Sequence, residues 1–131
     1  MSEVVLDASA LLAYLFDEPG ADVVSEALLA GAVISTVNLS EVLGKLVDHG
    51  VSVDQALSDL RAHGLLDLLE IADFTAPLAE EAARLRESTR GLGLSFGDRA
   101  CLALGKLQNL PVVTADSLWA KVPGVTIRLI R

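Results

Sequence analysis

Apolar and polar positions fall in blocks along the chain, each the length of one secondary-structure element. Glu3-Val4-Val5-Leu6 is a short apolar run ending on Asp7, and Ser9 to Phe16 then reads as a helix stopped by Pro19-Gly20. Ala21 to Ala30 predicts a second helix closed by Gly31, and the β-branched content of Ala32-Val33-Ile34-Ser35-Thr36-Val37 predicts a strand. Asn38-Leu39-Ser40-Glu41 has the spacing of a capping box and opens a helix carrying Val42, Leu43, Leu46 and Val47, which His49-Gly50 closes. Ser52-Val53-Asp54-Gln55 repeats that start signal and His63-Gly64 that stop signal, so residues 53 to 63 form a further helix and the two make a hairpin. Leu65 to Ile71 reads as a strand. Pro77 sits in the first turn of a helix with Leu78, Ala82 and Leu85 that extends to Arg90. After the loop Gly91-Leu92-Gly93-Leu94, Ser95-Phe96-Gly97-Asp98 starts a helix through Ala100, Cys101, Leu104 and Leu107, and strands follow at Leu110 to Thr114 and Val125 to Ile130.

Strands separated by helices imply parallel pairing through right-handed crossovers, hence an α/β fold with helices on both faces of a mostly parallel sheet. The 131 residues suit one domain spanning residues 1–131, without linker, repeat or low-complexity segment. The chain is 52% hydrophobic but only 4% aromatic, so its core is built from Leu, Val, Ala and Ile.

Charge changes the picture more than composition does. A net charge of −8 argues against a broad basic face of the kind that holds nucleic acid, so a polyanionic substrate would need help from a bound cation. The single Cys101 allows no internal disulfide and, with no signal peptide in view, points to a reducing cytoplasmic setting. The apolar runs are of strand length, well short of the roughly 20 residues of a membrane span.

Four acids stand where an open parallel sheet binds ligands, beyond the carboxyl ends of its strands. Asp7 ends the first strand, Glu41 falls in the first turn of the helix after the second, and Asp116 follows the strand Leu110 to Thr114. Asp98 begins a helix running antiparallel to the strand it precedes, which brings that helix N-terminus to the same edge. Each alone reads as a cap or turn residue. Four together would repel one another and raise at least one pKa, a conflict that a divalent cation removes. With no Cys or His at ligand spacing, an all-oxygen site favours Mg²⁺ or Mn²⁺ over zinc, and such a site suits phosphodiester hydrolysis.

At Asp7-Ala8-Ser9, Asn38-Leu39-Ser40-Glu41-Val42, Ser95-Phe96-Gly97-Asp98-Arg99-Ala100 and Thr114-Ala115-Asp116, the chain resembles PIN-domain nucleases, in particular VapC-type toxins. The resemblance spans essentially the whole chain. It implies a three-layer α/β/α PIN fold, Mg²⁺- or Mn²⁺-dependent endoribonuclease activity, and Asp7, Glu41, Asp98 and Asp116 as metal-binding acids. Ser9 and Thr114 match hydroxyl positions that support the first acid or a metal-bound water. It further implies RNA as substrate, a cognate antitoxin as partner, DNA contacted only through that antitoxin, and a homodimer. The amphipathic hairpin of residues 38 to 63 offers an apolar surface for either protein contact.

Other chemistry-bearing residues have plainer readings. His49 and His63 each precede Gly at a helix end, where they cap it. Cys101 lies among apolar neighbours and Trp119 is expected in packing rather than on an RNA base. Arg86, Arg90 and Arg99 are candidates for phosphate contacts, Arg99 foremost, with solvated salt bridges as the alternative. Among other functions, a receiver-like phosphoacceptor module would need an acidic pair after the first strand, and Asp7 stands alone. A haloacid-dehalogenase-type phosphatase would want a second Asp where Ser9 stands. An idle partner-binding domain is the remaining alternative.

Overall fold

A computed structural model describes all residues 1–131. The elements run β1 (Val4–Leu6), α1 (Ala8–Leu15), α2 (Ala21–Ala30), β2 (Ala32–Ser35), α3 (Thr36–Asp48), α4 (Val53–Ala62), α5 (Leu65–Leu68), β3 (Leu69–Ala72), α6 (Ala76–Ser88), α7 (Phe96–Gln108), β4 (Val112–Thr114), a 3-10 turn (Ser117–Lys121) and β5 (Ile127–Leu129). The five strands form one sheet in the order β3-β2-β1-β4-β5, with every pairing parallel. The receiver-like alternative fails here, because that doubly wound class carries the order 2-1-3-4-5.

Strand side chains alternate between two cores, which makes the fold three-layered. Val4, Leu6, Ile34 and Val113 pack with Leu11, Val24, Leu28, Val42 and Leu60 of α1 to α4. Val5, Val33 and Val112 face the other way, onto Leu78, Leu85, Leu102, Leu104 and Trp119. The second layer is held further by Lys106 of α7, whose Nζ lies 2.8 Å from the buried Glu81 carboxylate of α6. No helix is long and apolar enough to cross a membrane.

Two expectations from the sequence need correction. Strand β2 ends at Ser35, whose side chain caps α3 by accepting from the Val37 N–H. The helix therefore starts earlier than the Asn38-to-Glu41 spacing suggests, and Glu41 is its sixth residue, past the first turn. Glu41 thus lies beyond the reach of the helix terminus, whose influence fades within one turn. In the second case, Leu65 to Ile71 is not one strand. Gly64, in a left-handed conformation at φ +74°, redirects the chain into the single helical turn α5, and only Leu69 onward pairs with β2. A short Leu-rich run is ambiguous between helix and strand by periodicity, and burial of both Leu65 and Leu69 in one core selects the turn. His49 and His63 cap as expected, with Nδ1 of each ring 2.9 and 2.8 Å from the carbonyls of Lys45 and Asp59.

Candidate active site

Strand order reverses about β1 and β4, and the crevice beyond their carboxyl ends is where such sheets bind ligands. A cleft of about 240 Å³ opens there, lined by Asp7, Ser9, Asn38, Glu41, Asp98, Asp116 and Trp119 among others. All four acids singled out in the sequence reach it, each from a different connection of the fold.

Asp7 is the most constrained. It caps α1, accepting from the Ala10 N–H at 2.8 Å, and also receives the hydroxyls of Ser9 at 2.8 Å and Thr114 at 2.6 Å. Those hydroxyls in turn accept from the N–H groups of Ala115 and Asp116, so Ser9 and Thr114 tie the end of β1 to the end of β4. Burial pushes the Asp7 carboxyl from 3.8 up to about 6 despite these three donors, and the charge of Asp98 adds to the rise.

The other acids each keep one oxygen on a local partner. Asp98 completes a capping box with Ser95, receiving the Ser95 N–H at 3.0 Å while its own N–H binds the Ser95 hydroxyl. Asp116 caps the 3-10 turn through the Leu118 N–H. Glu41 receives Nδ2 of Asn38 at 2.8 Å. The cap readings of Asp98 and Asp116 therefore hold together with the shared cleft, because each carboxylate has a second oxygen to spare, whereas Glu41 caps no helix. As the side chains stand, no three His, Cys, Asp or Glu groups are disposed to hold one ion.

Sequence reasoning passed over Asn38 and Gly97. Asn38 is buried in α3 and spends both amide hydrogens, one on Glu41 and one on the Gly97 carbonyl at 2.9 Å, so it pins the acid of α3 to the start of α7. Its Oδ1 is buried without a partner, as is Nε1 of Trp119, and both residues line the cleft. Trp119 itself is packed in the core rather than presented to a base. A Cβ on Gly97 would meet the Glu41 carboxylate, its Cδ at 2.6 Å. Only the Asn-x-x-Glu spacing hinted at the first role, and no local signal gives the second.

Gly97→Ala should therefore displace the exposed Glu41 carboxylate and remove most activity, while stability changes by less than about 1 kcal/mol because the displaced group is the end of a flexible side chain. Gly44→Ala, where an added Cβ meets nothing within 4 Å, is the control and should stabilise by up to about 1 kcal/mol. Cleavage assays on the pair check this, with thermal unfolding to show that both are folded; parent-like cleavage by Gly97→Ala would refute the close approach.

The oxygen-only donor set, with an orphaned amide oxygen beside four carboxylates, fits a hard divalent cation. His49 and His63 do not line this cleft, and Cys101 is fully buried with its thiol pushed well up by burial and by the charges of Asp7, Asp98 and Glu41. A thiol in that state is neither ligand nor nucleophile.

Fold and site together define an α/β protein whose ligand crevice is built from carboxylates at the switch point of a parallel sheet. Within that class the chain belongs to the PIN-domain family of nucleases, whose family model, described as PIN domain, matches residues 4–125. Solved structures with the same fold include VapBC, a toxin–antitoxin complex and VapC20. DNA-bound VapBC from Salmonella typhimurium is 17% identical with a TM-score of 0.74 over 100% of both chains. FitAcB from Neisseria gonorrhoeae is 20% identical, TM-score 0.75, over 97% of each chain. VapC20 of Mycobacterium tuberculosis, described as a Sarcin-Ricin loop cleaving toxin, is 16% identical, TM-score 0.71, over 95% of this chain and 98% of that one. At these identities the likeness is one of fold. Comparison with curated protein sequences gives no match.

Proposed function

We propose that the chain, as one domain over residues 1–131, is a Mg²⁺- or Mn²⁺-dependent endoribonuclease and the toxin of a type II toxin–antitoxin pair. The observation that carries this reading is that Asp7, Glu41, Asp98 and Asp116, from four separate connections, line one cleft at the switch point of the sheet. Asp7, Glu41, Asp98 and Asp116 would hold a divalent cation, which when bound would supply positive charge at the phosphodiester oxygens and a more acidic water. Asn38 holds Glu41 in place, and its free Oδ1 is available to orient water in the cleft. Ser9 and Thr114 hold Asp7 at the end of β1 and keep β4 beside it.

The antitoxin part of the reading rests on the relatives named VapBC and FitAcB and on an apolar cleft of about 500 Å³ away from the acids. Tyr14, Phe16, Leu46, Val51, Leu60 and Leu65 line it, between the end of α1 and the α3–α4 hairpin. An amphipathic segment of a cognate antitoxin fits such a groove, with DNA contacted through the antitoxin alone, and an exposed Leu29 and Val47 leave further apolar surface for a homodimer. A cytoplasmic site of action follows from the RNA substrate.

Purified protein is expected to cleave single-stranded RNA with Mn²⁺ or Mg²⁺ and to stop on addition of chelator. The same ions should raise the thermal midpoint by several degrees, since saturation near a hundred times Kd contributes about 2.7 kcal/mol. Cleavage that continues unchanged in excess chelator, or a midpoint that the ions leave in place, would overturn the metal-dependent reading.

A further inference from the structure

A second concave site shares the first turn of α7 with the acid cleft, Arg99 lining the one and Asp98 the other. A cleft of about 260 Å³ is lined by Arg86, Thr89, Arg90, Gly91, Gly93 and Arg99, at the turn where α6 gives way to α7. Three of the chain's ten Lys and Arg residues meet there, in a protein of net charge −8. None of the three forms an ion pair; the pairs present use Arg84 and Lys106 with Glu80 and Glu81. With 18 acids in the chain, three neighbouring cations left without a carboxylate need a reason.

Helix electrostatics do not provide one for the set. Arg86, in the last turn of α6, complements that helix's negative end. Arg90 lies beyond the helix, and Arg99 is the fourth residue of α7, at the positive end, where a cation is unfavourable. Arg99 is nonetheless held there, with Nη1 donating to the Ala82 carbonyl at 3.4 Å and the guanidinium 6.0 Å from the Phe96 ring centroid. Most of its five donors stay free. The Thr89 hydroxyl donates back to the Leu85 carbonyl and closes the end of α6, while Gly91 and Gly93, at φ +88° and +69°, turn the loop and leave that wall without side chains. The other charged cleft beside the acids mixes Glu18 with Lys45, and its Arg131 is spent on the Pro19 carbonyl.

Position decides what this site is for. Arg99 follows Asp98 directly in the first turn of α7, so one lines the arginine cleft and its neighbour the acid cleft. We propose that Arg86, Arg90 and Arg99 form a phosphate subsite that grips the RNA backbone one or two nucleotides from the phosphodiester at the acids. The inference rests on the endoribonuclease reading. It places attraction for the strand beside four carboxylates that by themselves repel it, and guanidinium groups suit phosphate because their planar donors pair with two oxygens at once. Contacts of this kind set register on the strand without reading bases.

The test is fluorescence anisotropy with a labelled single-stranded RNA, in chelator at low salt so that nothing is cleaved, on the parent, on the triple variant Arg86→Gln/Arg90→Gln/Arg99→Gln, and on the matching triple Lys variant. Thermal unfolding checks that all three are folded. The Gln variant should bind about tenfold or more weaker, equally for RNAs of different sequence, with the slope of log K against log salt shallower by about 1 to 2, as loss of two or three backbone contacts requires. The Lys variant should recover most of the salt slope and only part of the affinity. In Mn²⁺ the Gln variant's KM for RNA should rise in step with its loss of affinity. Equal affinity and slope in parent and Gln variant would overturn the subsite, and so would complete displacement of RNA by millimolar inorganic phosphate, which would mark a free-anion site. Arginine-dependent RNA binding in a parent that cleaves nothing with either metal would leave the subsite standing and remove the nuclease reading instead.

Discussion

Asp98→Asn is expected to reduce RNA cleavage by more than roughly a hundredfold, beyond the tens-fold losses typical of groups acting only through a neighbour, while leaving the protein folded. The substitution separates the two roles that Asp98 combines. Its Oδ2 closes the capping box by accepting the Ser95 N–H at 3.0 Å, and an Asn carbonyl oxygen can accept the same bond. What Asn removes is the negative charge facing the cleft, along with about 0.3–1 kcal/mol of favourable interaction with the α7 terminus. Asp98→Ala makes the contrast, because it also loses the reciprocal cap and should destabilise by about 1 kcal/mol more. Cleavage rates and unfolding midpoints of the two variants check the assignment. An Asn variant that cleaves at the parent's rate would show that Asp98 is only a cap.

At Asp7, stability and activity should move in opposite directions. A carboxyl whose pKa is higher in the folded than in the unfolded chain opposes folding once it ionises. Below about pH 4 both states are protonated and Asp7 contributes nothing; between about 4 and 6 the unfolded state ionises first and stability falls; above 6 the loss is complete. A rise from 3.8 to about 6 corresponds to at most about 3 kcal/mol. Asp7→Asn is therefore expected to stabilise the metal-free protein at pH 7 by about 1–2 kcal/mol, with the difference vanishing near pH 4, while abolishing cleavage. The neutral amide still accepts from the Ala10 N–H, and its own N–H groups find acceptors because the Ser9 and Thr114 hydroxyls can rotate. Adding Mn²⁺ at pH 7 should reverse the order, stabilising the parent and not the variant. Unfolding midpoints across that pH range test this; an Asn variant less stable than the parent at pH 7, or a gap that ignores pH, would contradict it.

Much of the fold is legible along the chain because its signals are local. The Ser95-x-x-Asp98 spacing predicts a capping box, and both of its hydrogen bonds form. Gly-terminated helices and β-branched runs likewise predict an alternation that can only pair in parallel. The same local reasoning misplaces the start of α3, where Ser35, read as strand, caps the helix instead of Asn38, whose side chain is spent on Glu41 and Gly97. It also misses α5, where burial rather than periodicity selects the conformation.

By itself the sequence determined the parallel α/β class, the sheet-edge placement of four acids and their oxygen-only chemistry, because caps, turns and strand ends are set by neighbours a few residues apart. Tertiary structure alone decided the strand order β3-β2-β1-β4-β5 and the bond that runs from Asn38 to Gly97. Those are contacts between segments far apart in the chain, and their geometry follows from how two cores pack on a single sheet, which no local pattern records.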